Sequence, residues 1–250
     1  GGKYLIDNNG WSNLANKSAI GARITLHTSS ANQIREIIAS KGHGSMDLFN
    51  AIAQSCDIYF YEVALKTGID AIASMARRLG LGQKFKFEIP GEKQGLIPTR
   101  TWKKNSKGSN WQRGETLLAG IGQGFILTTP LQLVVMISRL VNGGRSVTPS
   151  MTRQVLKFEG TPNKILNQRL FENVGINPSH LKLIGKSMAA VSNSPVGTAY
   201  KARILEQGFS MGGKTGTVQV RRISDAERES GVLKNKELAW HERDHAIFVG

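Results

Sequence analysis

The sequence predicts an α+β fold with helices concentrated in the first half of the chain and strands in the second half. Apolar residues recur at helical spacing between residues 46 and 79 and again between residues 130 and 140. After residue 145, short stretches of β-branched and alternating residues are typical of strands. Strands and helices do not alternate regularly, which argues against a repeating βαβ sheet.

Composition is that of a globular chain. With 250 residues and 40% hydrophobic content, it can bury a core as one large domain or two small ones. The sequence contains no run of 18 or more apolar residues, and the N-terminus GGKYLIDNNG lacks the regions of a signal peptide. We therefore expect any anchor or signal to lie outside this chain. The single cysteine, Cys56, excludes an internal disulfide.

Charge is strongly positive. Lys and Arg total 33 against 18 Asp and Glu, which gives a formal net charge of +15. Such a charge makes nucleic acid a candidate partner. The basic residues are scattered from Lys3 to Arg243, with local clusters at Lys103-Lys104 and Arg221-Arg222, so no nucleic-acid partner is predicted. A solvated basic surface is favoured, and attraction to an acidic polymer or a membrane surface is the alternative.

The first 80 residues predict a loop and three helical segments. Residues 1–40 are expected to hold a loop and a helix over 31–40, and residues 41–44 a turn. A longer helix is predicted from Met46 to Lys66, ended by Gly68. Ser55-Cys56-Asp57 interrupts its apolar pattern, so we expect a break there with Ser55 or Asp57 capping the second piece. Residues 70–79 continue as helix.

Residues 83–113 are basic and punctuated by Gly and Pro, which predicts a surface connection with short strands. A core helix follows, with Thr128 or Thr129 as its cap, Pro130 at its first position and a stop at residues 143–144. Its predicted buried face consists of Leu131, Val134, Val135, Ile137 and Leu140.

The remainder of the chain predicts three strands and one helix. Strands are expected at residues 147–158, 208–220 and 244–249. A loop or hairpin is expected at residues 159–175, and a charged loop at residues 222–243. The helix begins at Asn177-Pro178-Ser179, runs through Val191 and ends at Ser194-Pro195.

The stretch Gly212 to Val220, GGKTGTVQV, presents a cation, hydroxyls and backbone N–H groups to an anionic ligand. Together with Gly208, it matches the phosphate-loop pattern G-x-x-x-x-G-K-[ST]. It also contains Lys-Thr-Gly, a signature of penicillin-recognising serine acyltransferases. A phosphate loop must open a helix, whereas Gly216 and the following β-branched residues favour a strand. The acyltransferase interpretation is therefore preferred.

Five ordered motifs carry a family resemblance. They are Ser55-x-Asp57 within AIAQSCDIYFYEVALKTGID, GIGQGFILTTPLQ, NSPVGTAY, GGKTGTVQV and RDHAIFVG. In this order they resemble the transpeptidase domain of class B penicillin-binding proteins, and in particular the group that serves the rod-shape elongation machinery. The resemblance covers about residues 41–250, whereas residues 1–40 match poorly.

The resemblance implies a fold like that of penicillin-binding proteins and serine β-lactamases. Such a fold is an antiparallel sheet flanked by helices, together with a mostly helical subdomain. We expect the helical part at about residues 41–145 and the sheet-containing part at about residues 146–250. The fold is expected to be incomplete at both ends, because the family's nucleophile segment and its C-terminal strand and helix have no counterpart here.

The resemblance also implies catalytic roles. In the family, a Ser-x-x-Lys serine attacks the D-Ala-D-Ala carbonyl of a peptidoglycan stem peptide, and an amine of a neighbouring strand resolves the acyl-enzyme. Lys214 would hold positive charge beside the nucleophile and beside Ser55. Ser55 would relay a proton to the leaving group. Asp57 stands where many relatives have Asn and would contact a substrate amide or the catalytic lysine.

The implied substrate-binding residues are Thr215, Gly216 and Thr217. The hydroxyls of Thr215 and Thr217 would bind the terminal carboxylate, and the Thr217 N–H would be an oxyanion donor. Gly216 suits a ligand that lies against the strand, because a side chain there would obstruct it.

In the family, the Ser-x-x-Lys motif of the nucleophile precedes the motif that contains Ser55, and this sequence has no such motif ahead of Ser55. Ser179-His180-Leu181-Lys182 is the only Ser-x-x-Lys in the sequence, and it follows Ser55 instead of preceding it. Ser179 is instead predicted to cap the helix that begins there. Lys66-Thr67-Gly68 repeats the Lys-Thr-Gly signature, but it closes a helix. The chain therefore resembles a fragment that is inactive alone.

His43 and Cys56 are the candidate metal ligands, and zinc is the metal considered. Two ligands fall short of a zinc site, which needs four, or three with a water. A turn histidine and a small buried thiol are the favoured interpretation, with no cofactor.

The resemblance implies a peptidoglycan D,D-transpeptidase domain that binds stem peptides and β-lactams, with elongation-machinery membrane proteins as partners. The full-length protein would lie at the periplasmic face of the bacterial inner membrane. Three alternatives stay open: a serine β-lactamase, a non-catalytic module that binds peptidoglycan or partners, and the phosphate-loop protein.

Overall fold

The computed structural model describes residue 43 and residues 46–86, 90–151, 154–156, 162–165, 172–221, 233 and 235–250. The predicted helix over residues 31–40 lies outside these ranges, as does most of the turn at 41–44. The chain divides into two compact units. The first unit contains the described parts of residues 1–68, 112–124 and 186–250, and the second unit those of 69–111 and 125–185. The predicted division near residue 145 stays a prediction.

The described residues form an α+β fold, as the sequence predicts. The helices are α1 (Leu48–Ala53), α2 (Asp57–Thr67), α3 (Ile69–Arg78), α4 (Arg100–Lys107), α5 (Arg113–Gly120), α6 (Pro130–Val141) and α7 (Pro178–Asn193). The strands are β1 (Gln154–Leu156), β2 (Pro162–Ile165), β3 (Lys214–Val218) and β4 (His245–Val249). The strands pair antiparallel, β1 with β2 and β3 with β4.

The break inside the predicted helix of residues 46–66 is confirmed, but its capping residue is different. Helix α1 ends at Ala53 and α2 begins at Asp57. Between them, Ser55 takes a left-handed conformation with φ of 56°. This turn places Cys56 in an extended conformation at the N-cap, where no side chain caps α2. The prediction that Ser55 or Asp57 caps α2 is therefore wrong.

The core of the first unit surrounds this break. Buried Met46, Ala51, Cys56 and Tyr59 form one cluster, with parts of α1 and α2 packed against it. Helix α2 also packs against α5. At their contact, a Cβ on Gly120 would lie 2.5 Å from the Cβ of Ala64 and 3.1 Å from the Phe60 carbonyl oxygen. Only a glycine allows the two helices to approach this closely.

In the second unit, α6 begins as predicted but presents a different face to the core. Thr129 caps it, accepting from the Gln132 N–H at 3.2 Å, with Pro130 at the first position. Val135 and Ile137 are buried, whereas Val134 is 56% exposed, so its predicted burial is wrong. Gln132 is buried instead, because its Nε2 donates to the carbonyls of Gln83 and Gln94 at 2.8 and 2.9 Å.

Helix α4 corrects the prediction of a surface connection with short strands over residues 83–113. Thr99 caps α4 by accepting from the Trp102 N–H at 3.0 Å, and left-handed Gly108 ends it. The only strand-like pairing in the described part of this stretch is a bridge between Leu96 and Leu127. The four basic residues of α4 favoured the prediction of a surface connection, although Thr99, a common helix N-cap type, precedes them in the sequence.

The second half agrees in outline. Strand β1 is shorter than the predicted strand of residues 147–158, and it pairs antiparallel with β2. The pairing therefore joins that strand to the stretch 159–175, whereas the loop or hairpin was predicted within 159–175 alone. Helix α7 is confirmed, but Asn177 occupies the capping role predicted for Ser179, because its Oδ1 accepts from the Ser179 N–H at 2.9 Å. Strand β3 is shorter than predicted, and β4 agrees with its prediction within one residue.

The glycine at the α2–α5 contact gives a prediction. We expect Gly120→Ala to lower the free energy of unfolding by about 1–3 kcal/mol, because the added methyl group overpacks the contact with Ala64. Urea denaturation measures this. Gly185→Ala in α7 is the matched control, because a Cβ there meets nothing within 4 Å. It should raise stability by about 0.5–1 kcal/mol through helix propensity. Equal effects of the two variants would contradict the close contact.

Candidate active site

Strand β3 is fixed at its start by both a helix and its partner strand. The Gly213 N–H donates to the carbonyl of Met188 in α7 at 3.0 Å. A Cβ on Gly213 would lie 2.4 Å from the ring of Phe248 and 2.5 Å from the Val249 carbonyl oxygen, so this position requires glycine. Lys214, the next residue, pairs with Val249. Among the described residues β3 pairs with β4 alone. The backbone that carries Lys214 is therefore firmly placed.

Lys214 and Ser55 are in direct contact. Lys214 Nζ donates to Ser55 Oγ at 2.5 Å, although 159 positions separate the residues. The same ammonium group donates to the carbonyl of Thr215 at 3.0 Å and to its Oγ1 at 3.3 Å. An ammonium group has three protons and no acceptor, so these contacts satisfy it. The structure thus brings together two of the three predicted catalytic residues.

Asp57 interacts with Lys214 through charge. Burial raises the pKa of Asp57, and the positive charges of Lys214 and His43 oppose that rise. Burial lowers the pKa of Lys214, and the Asp57 charge opposes that fall. No ion pair within 4 Å joins the two side chains among the residues described. Both groups are partly desolvated. The charge of each group opposes the pKa shift that burial causes in the other, although the two side chains form no ion pair.

Thr215, Gly216 and Thr217 follow Lys214 along β3. Thr215 and Thr217 share one face of the strand because side chains alternate, and Thr217 is exposed. Gly216 pairs with Ile247 of β4, and a Cβ there would lie 3.0 Å from Ile247 Cγ1. Crowding by Ile247 is thus a second reason for glycine, beside the ligand approach expected from the sequence.

Thr198 is a site neighbour that the sequence reasoning missed. Its Oγ1 lies 2.9 Å from the Oγ1 of Thr215. Its N–H donates to the carbonyl of Ala53, the last residue of α1, at 3.2 Å. The signal was present, because Thr198 belongs to the motif NSPVGTAY, but that motif supported the resemblance without suggesting a role.

The candidate metal ligands gain no support. His43 is exposed, and Cys56 is 5% exposed with a thiol pKa raised mainly by burial. The described residues contain no cluster of three or more His, Cys, Asp or Glu side chains that could hold a metal ion. The structure therefore adds no further ligand to His43 and Cys56 within the part of the chain that it describes.

The look-alike motifs lie at helix ends, as predicted, although Asn177 takes the capping role predicted for Ser179. Ser179 is exposed in the first turn of α7, and its Oγ donates to Asn177 Oδ1 at 2.8 Å. Lys66-Thr67 ends α2, and the Gly68 N–H donates to the Ala64 carbonyl at 2.8 Å. Lys214-Thr215 opens a strand, not a helix, so the phosphate-loop alternative is wrong.

Comparison with known families assigns the chain. Residues 23–240 match the model of the penicillin binding protein transpeptidase domain. This match covers most of the chain and includes α1, α2, β3 and the Lys214–Ser55 contact. The chain belongs to the family of penicillin-binding protein transpeptidase domains.

Relatives and solved structures agree with this assignment. The chain is 33% identical over 215 residues to the peptidoglycan D,D-transpeptidase MrdA of Acinetobacter baumannii, covering 84% of this chain and 30% of the relative. It resembles Pseudomonas aeruginosa PBP2 in complex with WCK 5153, with 35% identity, a TM-score of 0.64 and coverage of 72% and 40%.

A Helicobacter pylori PBP2 in complex with MreC shows 28% identity and a TM-score of 0.67, covering 84% of this chain and 34% of that one. The chain thus spans about a third of the length of the relatives it matches.

Within the described residues, no helix combines the length and apolar character needed to cross a membrane.

The shifted pKa of Asp57 gives a prediction about stability. Because the folded-state pKa lies above the usual 3.8, the unfolded chain releases this proton first as pH rises, and the wild type loses stability between 3.8 and the folded-state value. Asn does not titrate. We therefore expect Asp57→Asn to gain stability relative to the wild type as the pH rises above about 4.

Urea denaturation at a series of pH values measures this difference. Glu206→Gln, at an exposed position, controls for the loss of one negative charge. A difference between Asp57→Asn and wild type that stays constant with pH would contradict the desolvation of Asp57.

Proposed function

We propose that this chain forms the substrate-binding part of a peptidoglycan D,D-transpeptidase that cross-links the cell wall through a serine acyl-enzyme. The observation that carries the proposal is the hydrogen bond between Lys214, at the start of β3, and Ser55, in the turn before α2. Family membership limits the chemistry to that of penicillin-binding proteins. Because the chain spans about a third of its relatives, the activity is proposed for the whole protein.

The covalent step requires a serine from a Ser-x-x-Lys segment, which these 250 residues do not contain ahead of Ser55. The oxygen of that serine attacks the carbonyl carbon between the two D-alanines and gives its proton to the lysine of the same Ser-x-x-Lys segment, and the C–N bond breaks. Ser55 passes a proton to the departing amine, and Lys214 replaces it through their hydrogen bond. An amine of a neighbouring stem peptide then attacks the ester and releases the serine.

Strand β3 supplies the binding groups. The C-terminal carboxylate of the stem peptide is held by the hydroxyls of Thr215 and Thr217, next to the positive charge of Lys214. Their position on one face of the strand supports this role. The Thr217 N–H serves as one oxyanion donor, and a β-lactam, which carries a carboxylate beside a reactive carbonyl, occupies the same strand edge.

A peptidoglycan acceptor is favoured over the β-lactamase alternative, because relatives with 30% identity or more include peptidoglycan D,D-transpeptidases and PBP2. For the full-length protein we propose a place at the periplasmic face of the bacterial inner membrane. We also propose membrane proteins of the elongation machinery as partners, since the H. pylori relative is a complex with MreC.

Ligand binding tests the proposed site. We expect the 250-residue chain to bind a diacetyl-Lys-D-Ala-D-Ala peptide more tightly than its L-Ala-L-Ala diastereomer. Lys214→Met should weaken binding of the D,D peptide by about tenfold or more, as expected for a hydrogen-bonded charge. NMR titration measures both affinities. Lys182→Met removes an equal charge from an exposed position of α7 and should have no effect. Equal binding of the two diastereomers by the wild type would overturn the proposal.

Labelling with a fluorescent penicillin tests the role of each serine. We expect the 250-residue chain to form no covalent adduct, because Ser179 is held by Asn177 at the exposed start of α7 and Ser55 is a proton relay. Denaturing gel electrophoresis detects an adduct. A labelled band that Ser55→Ala abolishes would make Ser55 a nucleophile, and a band that only Ser179→Ala abolishes would make Ser179 one.

A further inference from the structure

The positive charge of the chain is concentrated in its second unit. Residues 69–111 and 125–185 contain 16 Lys and Arg against 5 Asp and Glu, a net charge of +11. The rest of the chain contains 17 against 13, a net charge of +4. Such an asymmetry is typical of a surface that binds a polyanion. The catalytic and binding residues proposed above lie in the first unit, so they do not account for this charge.

Helix α4 contributes four of these basic residues. Its sequence, RTWKKNSK, contains no acidic residue. Arg100, Lys104 and Lys107 are exposed, and their spacings of four and three place them on one face of the helix. The helix dipole favours the two lysines in the last turn, but like charges at these spacings repel each other. Helix α4 thus presents to solvent a basic stripe, the α4 stripe, which consists of these three residues.

Acidic neighbours neutralise one end of the α4 stripe. Arg100 Nε lies 3.5 Å from Asp70 Oδ2, and both side chains are exposed, so this ion pair is weak. Lys104 and Lys107 have no acidic group within 4 Å in the part of the chain that the structure describes. The two lysines therefore offer ammonium groups, with three protons each, to an anion from outside the chain.

The other side of α4 is held by aromatic residues. The rings of Trp102 and Phe125 lie 5.3 Å apart. The Lys103 ammonium group lies 5.7 Å from the centre of the Phe125 ring and 6.0 Å from that of Trp111. Lys103 is 6% exposed, so its charge is directed to these rings and not to solvent. These contacts fix the rotation of the helix, and the α4 stripe is thereby preorganised for a ligand.

The same aromatic contacts favour one class of polyanion. A helix that binds a membrane surface inserts an apolar face into the lipid, whereas the aromatic side of α4 packs against Phe125. Single-stranded nucleic acid stacks on aromatic rings, but Trp102 and Trp111 are half-buried and contact Phe125. A flexible polymer with carboxylates on short side branches needs neither feature. A peptidoglycan strand, with a carboxylate at the end of each uncross-linked stem peptide, is such a polymer.

We propose that the α4 stripe is a docking surface for the carboxylates of uncross-linked peptidoglycan strands. This inference rests on the proposed function, which supplies the polymer. Lys104 and Lys107 form charge-assisted hydrogen bonds with carboxylates of stem peptides other than the one that reacts. Each such contact at an exposed position is weak, but several stem peptides on one strand bind together with a higher avidity. The α4 stripe thus retains the strand from which the reacting stem peptide comes.

Binding to purified peptidoglycan sacculi tests this proposal. The 250-residue chain is co-sedimented with sacculi, and with the same sacculi after their carboxylates have been converted to amides. We expect Lys104→Gln/Lys107→Gln to bind untreated sacculi about tenfold more weakly at low ionic strength, the loss expected for two lysines near a polyanion. The wild type should lose binding to a similar extent on amidated sacculi. High salt should also weaken the binding, because it screens exposed charges.

Two further variants complete the design. Lys186→Gln/Lys236→Gln removes two exposed lysines of the first unit, so it changes the net charge equally and should bind sacculi like the wild type. Lys104→Arg/Lys107→Arg keeps both charges and should keep binding within about twofold. Gln, Arg and Lys have similar helix propensities, so α4 should persist in each variant. Circular dichroism establishes folding.

Several outcomes would overturn the inference. They are wild-type binding by Lys104→Gln/Lys107→Gln, an equal loss in the first-unit control, and equal binding of the wild type to untreated and amidated sacculi. Vesicles that contain phosphatidylglycerol and single-stranded RNA are the comparison ligands. If Lys104→Gln/Lys107→Gln loses binding to either of them as strongly as to sacculi, the α4 stripe is a general polyanion surface, and its assignment to peptidoglycan is wrong.

The titration with the D,D peptide separates this inference from the proposed function. Lys104→Gln/Lys107→Gln should bind that peptide like the wild type, because Lys214 and β3 are unchanged. If the wild type prefers the D,D peptide but the variant keeps full binding to sacculi, the proposed function stands and the docking surface does not. If the wild type binds both diastereomers equally, the site on β3 is overturned, and the sacculi decide the role of the α4 stripe by themselves.

Discussion

Burial of the Lys214 ammonium group is the constraint on which the site depends. A partly desolvated charge requires hydrogen-bond partners, and Lys214 finds them in Ser55 Oγ and in the carbonyl and hydroxyl of Thr215. One partner is local to β3, whereas the other comes from the turn between α1 and α2. The solvation of this one charge therefore ties the turn to β3, and the Asp57 charge favours the ammonium form.

The turn that supplies Ser55 is held from several directions. Its left-handed φ of 56° is unfavourable for a residue with a side chain, at a cost on the order of 1 kcal/mol. The buried cluster of Met46, Ala51, Cys56 and Tyr59 supports it from within. On the other side, the Ala53 carbonyl accepts from Thr198, and Thr198 in turn contacts Thr215. The strained backbone thus presents a hydroxyl that an unbroken helix would direct elsewhere.

The sequence predicted the break at residues 55–57 because polar capping types interrupted an apolar period, but it could not predict the cap. The φ of Ser55 is set by tertiary contacts, and that φ made Cys56 the cap. Burial of Gln132 in place of Val134 likewise depends on two carbonyls about 40 to 50 positions away. Lys214, Thr215 and Ser55 were found from motifs, whereas the contact of Thr198 with Thr215 has no local signature. Sequence propensity depends on neighbouring residues, whereas these hydrogen-bond partners lie far apart along the chain.

The opposed effects of burial and Asp57 on Lys214 matter for its two proposed tasks. Burial lowers the pKa of Lys214 and so makes its ammonium group a stronger proton donor to Ser55, and the Asp57 charge favours the ammonium form, which attracts a carboxylate. A neutral residue at position 57 would leave burial unopposed and lower the pKa of Lys214 further. Asp57 raises the pKa of Lys214 through its charge and forms no ion pair with it, so it does not compete for the hydrogen bond between Lys214 and Ser55. In the proposed function, the carboxyl at position 57 therefore tunes the balance between carboxylate binding and proton transfer, while the hydrogen bond between Lys214 and Ser55 stays intact.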